Sequence, residues 1–224
     1  PAGGRCAWGS AAWHPTASAR APASVTVRRF RTRPIPALPM RGALFIADPS
    51  IAWQSARQAV AGLNAAFPTR SSHAALFFPF LQAADPASAG KTMTVAPCGA
   101  VAGVMARTDV QRGVWRPAAG TEATLRGAAG PAIKLNDSQN SELNALGVNC
   151  LRSFARSGPV VWGARTLAGA DPAASEWKYI PVRRLAFFIE QSIERGLRWA
   201  AFESNGEPTW AKIRLNVAAF MDRL

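Results

Sequence analysis

One stretch of the sequence carries residue types that could bind the phosphates of a nucleotide. Residues 85–92 read DPASAGKT and end in the Gly-Lys-Thr of a phosphate-binding loop, in which backbone N–H groups and the lysine contact phosphate oxygens. Here Asp85 replaces the first glycine, Pro86 lacks an N–H group, and the apolar residues 93–96 follow where a helix should begin. We therefore predict a surface loop, and nucleotide hydrolysis that uses Lys91 is the less favoured alternative function.

The two histidines and three cysteines are too scattered for a recognisable catalytic or metal site. A protease triad needs a serine beside a histidine that a carboxylate holds. Neither His14 nor His73 has a companion motif, and no Gly-x-Ser-x-Gly sequence occurs. Cys6, Cys98 and Cys150 form no Cys-x-x-Cys pair and do not indicate a disulfide framework. We predict no catalytic residue, no metal and no cofactor.

One pair of carboxylates has a spacing that could support acid–base chemistry. Glu190 and Glu194 are four residues apart and would share a helix face. Arg183 and Arg195 lie near them in the sequence, and charges arranged in this way are typical of an exposed face with ion pairs. We predict such a face rather than a catalytic pair.

Positive charge is concentrated near the start of the chain. The net charge of the 224 residues is +13, and residues 1–41 contribute +7 of it because they contain seven arginines and no acidic residue. No apolar periodicity is sustained in this Arg-, Pro- and Ala-rich segment, so we predict that residues 1–41 are disordered. Residues 28–31 (RRFR) leave a further alternative function open, that of a basic module that binds nucleic acid.

Strands and helices alternate along residues 42–168, which predicts an α/β domain with a layered sheet flanked by helices. The apolar fraction of 49% is enough to build a core. The predicted helices are 51–66, 99–106 and 138–146, the predicted strands are 75–81, 94–96, 151–154 and 160–167, and the predicted loop is 109–126. In the first helix, Ile51, Val60, Leu63 and Phe67 are expected on the buried side.

A short polar stretch, residues 169–176, is predicted to be a linker to residues 177–224. Pro181 suits the first turn of a helix and Gly196 suits its end. Helical spacing predicts that its buried face comprises Val182, Leu185, Ile189 and Ile193. We predict a strand at 197–202 and a second helix with an apolar stripe of Trp210, Ile213, Val217, Phe220, Met221 and Leu224.

Three blocks of the sequence carry a resemblance to a known family. They lie within residues 97–115, 147–167 and 179–210, and the last contains YIPVRRL, FIEQSI and FESNGEPTW. In this order they resemble the contractile tail sheath proteins of phages and phage-like injection machines, over roughly residues 42–224. The resemblance implies a subtilisin-like sheath core without catalytic activity, followed by the truncated start of a C-terminal α/β sheath domain at 177–224.

The resemblance also implies a function and a set of partners. Sheath subunits polymerise helically around a tail tube and contract to drive it through a target envelope. The implied partners are other sheath subunits, the tail tube protein, the baseplate and the tail terminator, in a virion tail or phage-like particle assembled in the bacterial cytoplasm. Nucleic acid is not a favoured partner and stays with the alternative function of the Arg-rich segment. We expect no membrane insertion, since no apolar run approaches the roughly 20 residues that span a bilayer.

Charged residues in two regions are candidates for contacts between subunits. They are Arg107, Asp109, Arg112, Lys212, Arg214 and Arg223. The first three are expected in a loop, and arginine is enriched at interface hot spots, although internal pairing of an arginine with Asp109 is an equal alternative. The last three lie off the apolar stripe of the final helix, where they could face the tail tube or form an ordinary solvated surface.

Overall fold

The computed structural model describes residues 24–27, 42–88 and 90–224. The strands are β1 (Ser24–Val27), β2 (Ala43–Ala47), β3 (Ala74–Phe78), β4 (Leu81–Ala84), β5 (Thr92–Val95), β6 (Ala128–Pro131), β7 (Val148–Phe154) and β8 (Gly158–Val161). The α-helices are α1 (Ala56–Ala66), α2 (Cys98–Arg112), α3 (Asp137–Ala145), α4 (Ile180–Gly196) and α5 (Glu207–Met221), with short 3-10 helices at Asp171–Ala173 and Arg198–Phe202.

The larger sheet has five strands in the order β1, β2, β3, β7 and β8. The first four are parallel, and β8 returns antiparallel beside β7. Strands β2 and β3 are buried along their whole length, which explains why they read as continuous apolar runs rather than as alternating ones. The mixed α/β class predicted from the sequence is confirmed.

Helices cover both faces of this sheet, because successive side chains of a strand point to opposite sides. On one side, Phe77 of β3 belongs to a core cluster with Val101 of α2 and with apolar residues of α4. On the other side, Phe78 belongs to a second cluster with Leu63 of α1 and Leu143 of α3. The two clusters make the sheet the buried central layer of this part of the chain.

The smaller sheet has three antiparallel strands in the order β5, β4 and β6. A hairpin joins β4 to β5, and at its base the N–H of Asp85 donates to the carbonyl of Lys91 at 2.9 Å. The prediction of a surface loop around Lys91 is confirmed. Because a strand and not a helix follows Lys91, no helix N-terminus is available there to hold phosphate.

The chain divides into two compact units. One comprises residues 22–191 and holds both sheets and helices α1 to α3. The described part of the other comprises residues 192–224, with the end of α4, the second 3-10 helix and α5, in which no residue is buried. No helix in the described ranges combines the length and apolar character needed to cross a membrane.

The prediction of disorder for residues 1–41 is wrong at Ser24–Val27, which forms β1 and pairs in parallel with β2. Two valines and a threonine among these four residues favour extended backbone. The remainder of that segment, including the basic run at 28–31, lies outside the described residues.

Helix α1 begins later than the sequence predicts. Ser55 is its N-cap, and its hydroxyl accepts a hydrogen bond from the N–H of Gln58 at 3.3 Å. Ile51 precedes the helix and is 77% exposed, so its predicted burial is wrong. Leu63 and Phe67 are buried as predicted.

Helix α2 is longer than predicted and includes Arg107, Asp109 and Arg112, which we expected in a loop. Neither glycine nor proline interrupts residues 104–112, so the sequence offers no local reason for the helix to end. It ends at Gly113, whose φ of +92° favours glycine. The predicted loop begins only there.

Two predicted strands differ from those of the structure. Residues 198–202 form a 3-10 helix with a local hydrogen bond from the N–H of Ala200 to the carbonyl of Leu197. Strand β8 ends at Val161 rather than at residue 167. Beyond it, the side chain of Asn149 takes the place of a neighbouring strand, because its Oδ1 accepts from the N–H of Arg165 at 2.6 Å.

Helix α4 ends at Gly196 as predicted, but a different face of it is buried. Ile180, Arg184 and Phe187 are the buried residues, whereas Val182 of the predicted stripe is 45% exposed. The buried residues are spaced by four and three, as a helical stripe requires. An arginine in the middle of the stripe concealed it in the sequence.

The predicted linker at 169–176 is a turn held by charged contacts. One carboxylate oxygen of Asp171 accepts from Nη1 of Arg165 at 2.7 Å and from Nζ of Lys178 at 2.6 Å. The hydrogen bonds from Lys178 and Arg165 lower the pKa of Asp171. The compact unit runs past this turn to residue 191.

Candidate functional site

Asp109 and Arg184 form a buried ion pair between α2 and α4. The guanidinium donates twice to the carboxylate, from Nη1 to Oδ1 at 2.9 Å and from Nη2 to Oδ2 at 2.5 Å. The side chains are only 12% and 2% exposed. Of the two roles considered for Asp109, the geometry shows the internal pairing, and this carboxylate is occupied within its own chain.

The other two charged candidates on α2 contact the segment that follows the helix. Nη2 of Arg107 donates to the carbonyl of Thr124 at 2.7 Å. Arg112 pairs with Glu122 at 3.1 Å, and both of these side chains are more than half exposed. Arg112 therefore lies on an accessible surface, while Arg107 is partly buried.

A cavity of about 300 Å³ lies between the last two turns of α2 and this segment. Its polar lining consists of Arg107, Thr108, Gln111, Arg112, Arg116 and Glu122. The four helical residues share one face, because positions four residues apart are neighbours on a helix. Arg107 and Arg112 were candidates predicted from the sequence, whereas no local signal marked Arg116.

The three candidates on or after α5 are exposed. Arg214 forms an ion pair with Glu207, seven residues and so about two turns earlier in the helix. About two-thirds of each side chain remains accessible. Nζ of Lys212 lies 4.3 Å from the ring centroid of Trp199. Arg223 follows the end of α5 and is also accessible. These residues present positive charge on the surface of the 192–224 unit.

His73 has a defined structural environment that the sequence did not reveal. Its Nε2 lies 2.6 Å from Nη2 of Arg183, and its ring lies 5.2 Å from that of Phe187. Burial lowers the pKa of His73, the charge of Arg183 lowers it further, and Glu190 opposes both effects. The imidazole acts as a packing group and hydrogen-bond partner between the start of β3 and α4.

Asn149 is a buried polar residue that connects three segments. Its Nδ2 donates to the carbonyls of Leu76 at 3.1 Å and Arg165 at 2.7 Å, and its Oδ1 accepts from the N–H of Arg165. A lone asparagine in an apolar strand is the only signal that could have identified it. Its contacts join β3, β7 and the chain beyond β8, so its role is structural.

The geometry offers no catalytic arrangement around the two cysteines in the part of the chain that the structure describes. Cys98 and Cys150 are buried and form no disulfide, and burial raises the pKa of Cys150 to about 12. A thiol with so high a pKa remains protonated and unreactive near neutral pH. In the ranges that the structure describes, no group of three or more His, Cys, Asp or Glu side chains could hold a metal ion.

Comparisons with known proteins show that parts of this chain are similar to sheath proteins. Residues 79–167 match the family described as the phage tail sheath protein central domain. The tail sheath protein of Vibrio phage KVP40 is 28% identical over 127 residues, which cover 56% of this chain and 18% of that protein.

Two solved structures share the fold at similar levels of identity. A chain of the contracted PVC sheath complex, from an extracellular contractile injection system, has a TM-score of 0.69 and 32% identity over 84% of this chain and 49% of that chain. A chain of the anti-feeding prophage baseplate has a TM-score of 0.66 and 30% identity over 82% of this chain and 45% of that chain. The chain thus spans less than half the length of these relatives, and the resemblance to the contractile tail sheath family is confirmed.

Proposed function

We propose that this chain is a structural subunit of a contractile sheath, in a phage tail or a phage-like injection particle. The observation that carries the proposal is the match of 84% of the chain, at 32% identity, to a sheath chain of an extracellular contractile injection system. Such a subunit would polymerise helically with copies of itself and contract to drive a tail tube through a target envelope. Its action is mechanical, and we propose no enzymatic step and no cofactor.

The arrangement of charges and buried contacts fits a subunit that moves as a rigid body. Contraction of a polymer requires interfaces that exchange between two arrangements while each subunit keeps its shape. Within residues 22–191, the Asp109–Arg184 pair and the contacts of Asn149 tie helices and strands together through buried polar bonds. Such bonds favour one internal packing over its alternatives.

We further propose the finer organisation that the family resemblance implies. The α/β part at 42–168 would be a subtilisin-like sheath core that has the layered fold without its chemistry, an instance of a fold that does not determine function. Residues 177–224 would contribute to the C-terminal sheath domain. Additional partners would be the tail tube protein, the baseplate and the tail terminator, with assembly in the bacterial cytoplasm.

The exposed basic residues are the proposed contact points. Arg112 would contact other subunits, and Lys212, Arg214 and Arg223 would face an acidic surface such as that of a tail tube. Arg107 would contribute from its partly buried position. Complementary charge of this kind sets register and association rate more than affinity.

The direct test is electron microscopy of particles from a source that encodes the chain. Deleting the coding segment for residues 79–167 should leave tubes without a surrounding sheath, and expression of the intact chain should restore it. Gold-labelled antibodies against the same residues should decorate the outer cylinder of intact particles. Particles whose sheath survives the deletion and is not decorated would show that the chain has another role.

A further inference from the structure

The cavity at the end of α2 has an excess of positive charge that its own residues do not neutralise. Three arginines and one glutamate line it, and the remaining lining groups carry no charge. Glu122 contacts only one of the arginines, Arg112, through an exposed ion pair. The cavity therefore presents two uncompensated guanidinium groups.

These two arginines have donors left for a ligand. Arg107 uses Nη2 to bind the carbonyl and hydroxyl of Thr124, which fixes the guanidinium in place and leaves Nε and Nη1 for other acceptors. Arg116 is exposed, and no residue in the described ranges forms a side-chain hydrogen bond or ion pair with it. One anchored and one exposed guanidinium are well suited to bind the oxygens of one anion.

The walls of the cavity are held in place by backbone bonds and apolar anchors. The N–H of Gly120 donates to the carbonyl of Val161 at 2.8 Å, and the N–H of Val161 donates to the carbonyl of Ala123 at 3.0 Å. The side chains of Ala123 and Leu125 are buried in the core. The segment after α2 is thus attached to the edge of β8, and the cavity exists before any ligand arrives.

We propose that this cavity is a binding site for an oxyanion, namely a carboxylate or phosphate group. Arg107 and Arg116 are its main donors, and Gln111 and Thr108 lie beside them in the lining. Glu122 acts as an internal competitor, because it occupies Arg112 and repels an incoming anion. The same chemistry would accept a carboxylate side chain of a second copy of the chain or a free anion from solution.

The test is titration of the full chain with inorganic phosphate at constant ionic strength, with chloride as the balancing anion. Calorimetry gives the affinity, and the NMR signals of the arginine Nε–H groups identify the residues in contact. Arg107→Gln and Arg116→Gln should each weaken phosphate binding about tenfold, the effect of losing one charge-assisted hydrogen bond. Glu122→Gln should strengthen binding by roughly threefold, because it removes the competing carboxylate.

Arg57→Gln is the matched control, since Arg57 is an exposed arginine on α1, and it should bind phosphate with the wild-type affinity. Because Arg107→Gln also removes a contact to Thr124, the exposed Arg116→Gln variant keeps the test valid if the former fails to fold. Wild-type affinity in Arg116→Gln, or no phosphate binding by the wild-type chain at chloride-balanced ionic strength, would overturn the proposal.

Sedimentation velocity separates the two sources of the anion. If the ligand is a carboxylate of a second copy, the wild-type chain self-associates, phosphate reverses the association, and Arg116→Glu stays monomeric. If the ligand is a free anion, phosphate binds without a change in mass. Phosphate binding by the isolated chain does not require sheath assembly. A chain that does not bind phosphate would therefore leave the proposed sheath function open, and a chain that does not form a sheath would leave the anion site open.

Discussion

At the scale of single residues, the most deeply buried polar side chains discussed above form hydrogen bonds or ion pairs within the chain. Asp109 and Arg184 are both charged and nearly inaccessible, and a buried charge is tolerated only when a partner compensates it. The same principle applies to the fully buried Asn149. Its side-chain N–H group donates a hydrogen bond and its side-chain oxygen accepts one, so both polar groups have partners. Each of these positions couples segments that are distant in the sequence.

Asp109→Ala should lower the free energy of unfolding by about 3–5 kcal/mol, because it leaves the Arg184 guanidinium buried without a partner. The double variant Asp109→Leu with Arg184→Met removes both charges and should recover much of that loss. Urea denaturation measures each value. Arg112→Ala, at the exposed pair with Glu122, is the control and should cost about 0–1 kcal/mol. If Asp109→Ala lowers the free energy of unfolding by no more than Arg112→Ala does, the Asp109–Arg184 pair contributes no more than a surface ion pair.

His73 should make stability depend on pH. Because burial and the charge of Arg183 hold its pKa below the ordinary value of 6.5 in the folded chain, the unfolded chain binds the proton first as pH falls. The free energy of unfolding should therefore be greatest above this ordinary value and decrease as pH drops below it.

The variant His73→Gln keeps an acceptor for Arg183 but does not titrate, so its unfolding free energy should change less between about pH 7.5 and 5.5. Urea denaturation at several pH values provides the comparison. An equal slope in wild type and variant would assign the pH dependence to other groups.

At the scale of elements, glycines mark where helices must give way to strands. Gly147 separates α3 from β7 with a φ of +84°, and an added Cβ would lie 3.0 Å from the carbonyl oxygen of Thr166. Gly103 lies inside α2, where an added Cβ would meet no atom within 4 Å. A side chain would therefore be unfavourable at Gly147 and can be accommodated at Gly103.

The same substitution should therefore have opposite effects at these two sites. Gly147→Ala should destabilise the chain by roughly 1–2 kcal/mol for the left-handed backbone alone, with an added cost from the close contact. Gly103→Ala should stabilise it by roughly 0.5–1 kcal/mol, since alanine loses less backbone entropy in a helix. Thermal unfolding of both variants tests the pair, and a stabilising Gly147→Ala would contradict the assigned backbone conformation.

Local sequence signals account for part of this architecture. The apolar run of β3, the turn at Gly147 and the stop at Gly196 follow from residue types that act within a few positions, whereas β2 was not among the predicted strands. The pairs Asp109–Arg184 and His73–Arg183 join residues that are 75 and 110 positions apart. No local pattern encodes such contacts, and for this reason the buried face of α4 was predicted incorrectly.

The candidate site was also predictable only in part from the sequence. Arg107 and Arg112 could be selected because arginine is frequent at interfaces, but the prediction of a loop concealed their shared helix face. Arg116 becomes relevant only when the segment after α2 folds back along β8. The sequence contains the residues of the cavity, while the tertiary fold brings them together.

At the scale of the whole molecule, each of the two compact units carries exposed basic residues. The relatives with solved structures are components of helical or baseplate assemblies, and a subunit in a helical polymer uses two different surfaces for each contact. The basic residues of α5 and those of the α2 cavity lie in different compact units. They can therefore be changed independently and compared in one assembly assay.

Reversing two charges on α5 tests whether this helix contacts an acidic partner. The double variant Lys212→Glu with Arg214→Glu should fold normally, because both residues are exposed and the lost pair with Glu207 contributes about 0–1 kcal/mol. In particles that carry the chain, the same variant should reduce the fraction of tubes that acquire a sheath. The wild-type assembly should weaken as salt is raised, since exposed charges are screened within about 10 Å at 0.1 M ionic strength.

A matched control reverses two exposed arginines of the other compact unit, Arg57→Glu with Arg126→Glu, and changes the net charge by the same amount. Electron microscopy counts sheathed and bare tubes for each variant at low and moderate salt. Loss of assembly only in the α5 variant would identify this helix as the contact with the partner, because a general effect of net charge would act on both. If the α5 variant assembles and contracts like the wild type at both salt concentrations, the contact lies elsewhere, and the arginines of the α2 cavity become the next surface to test.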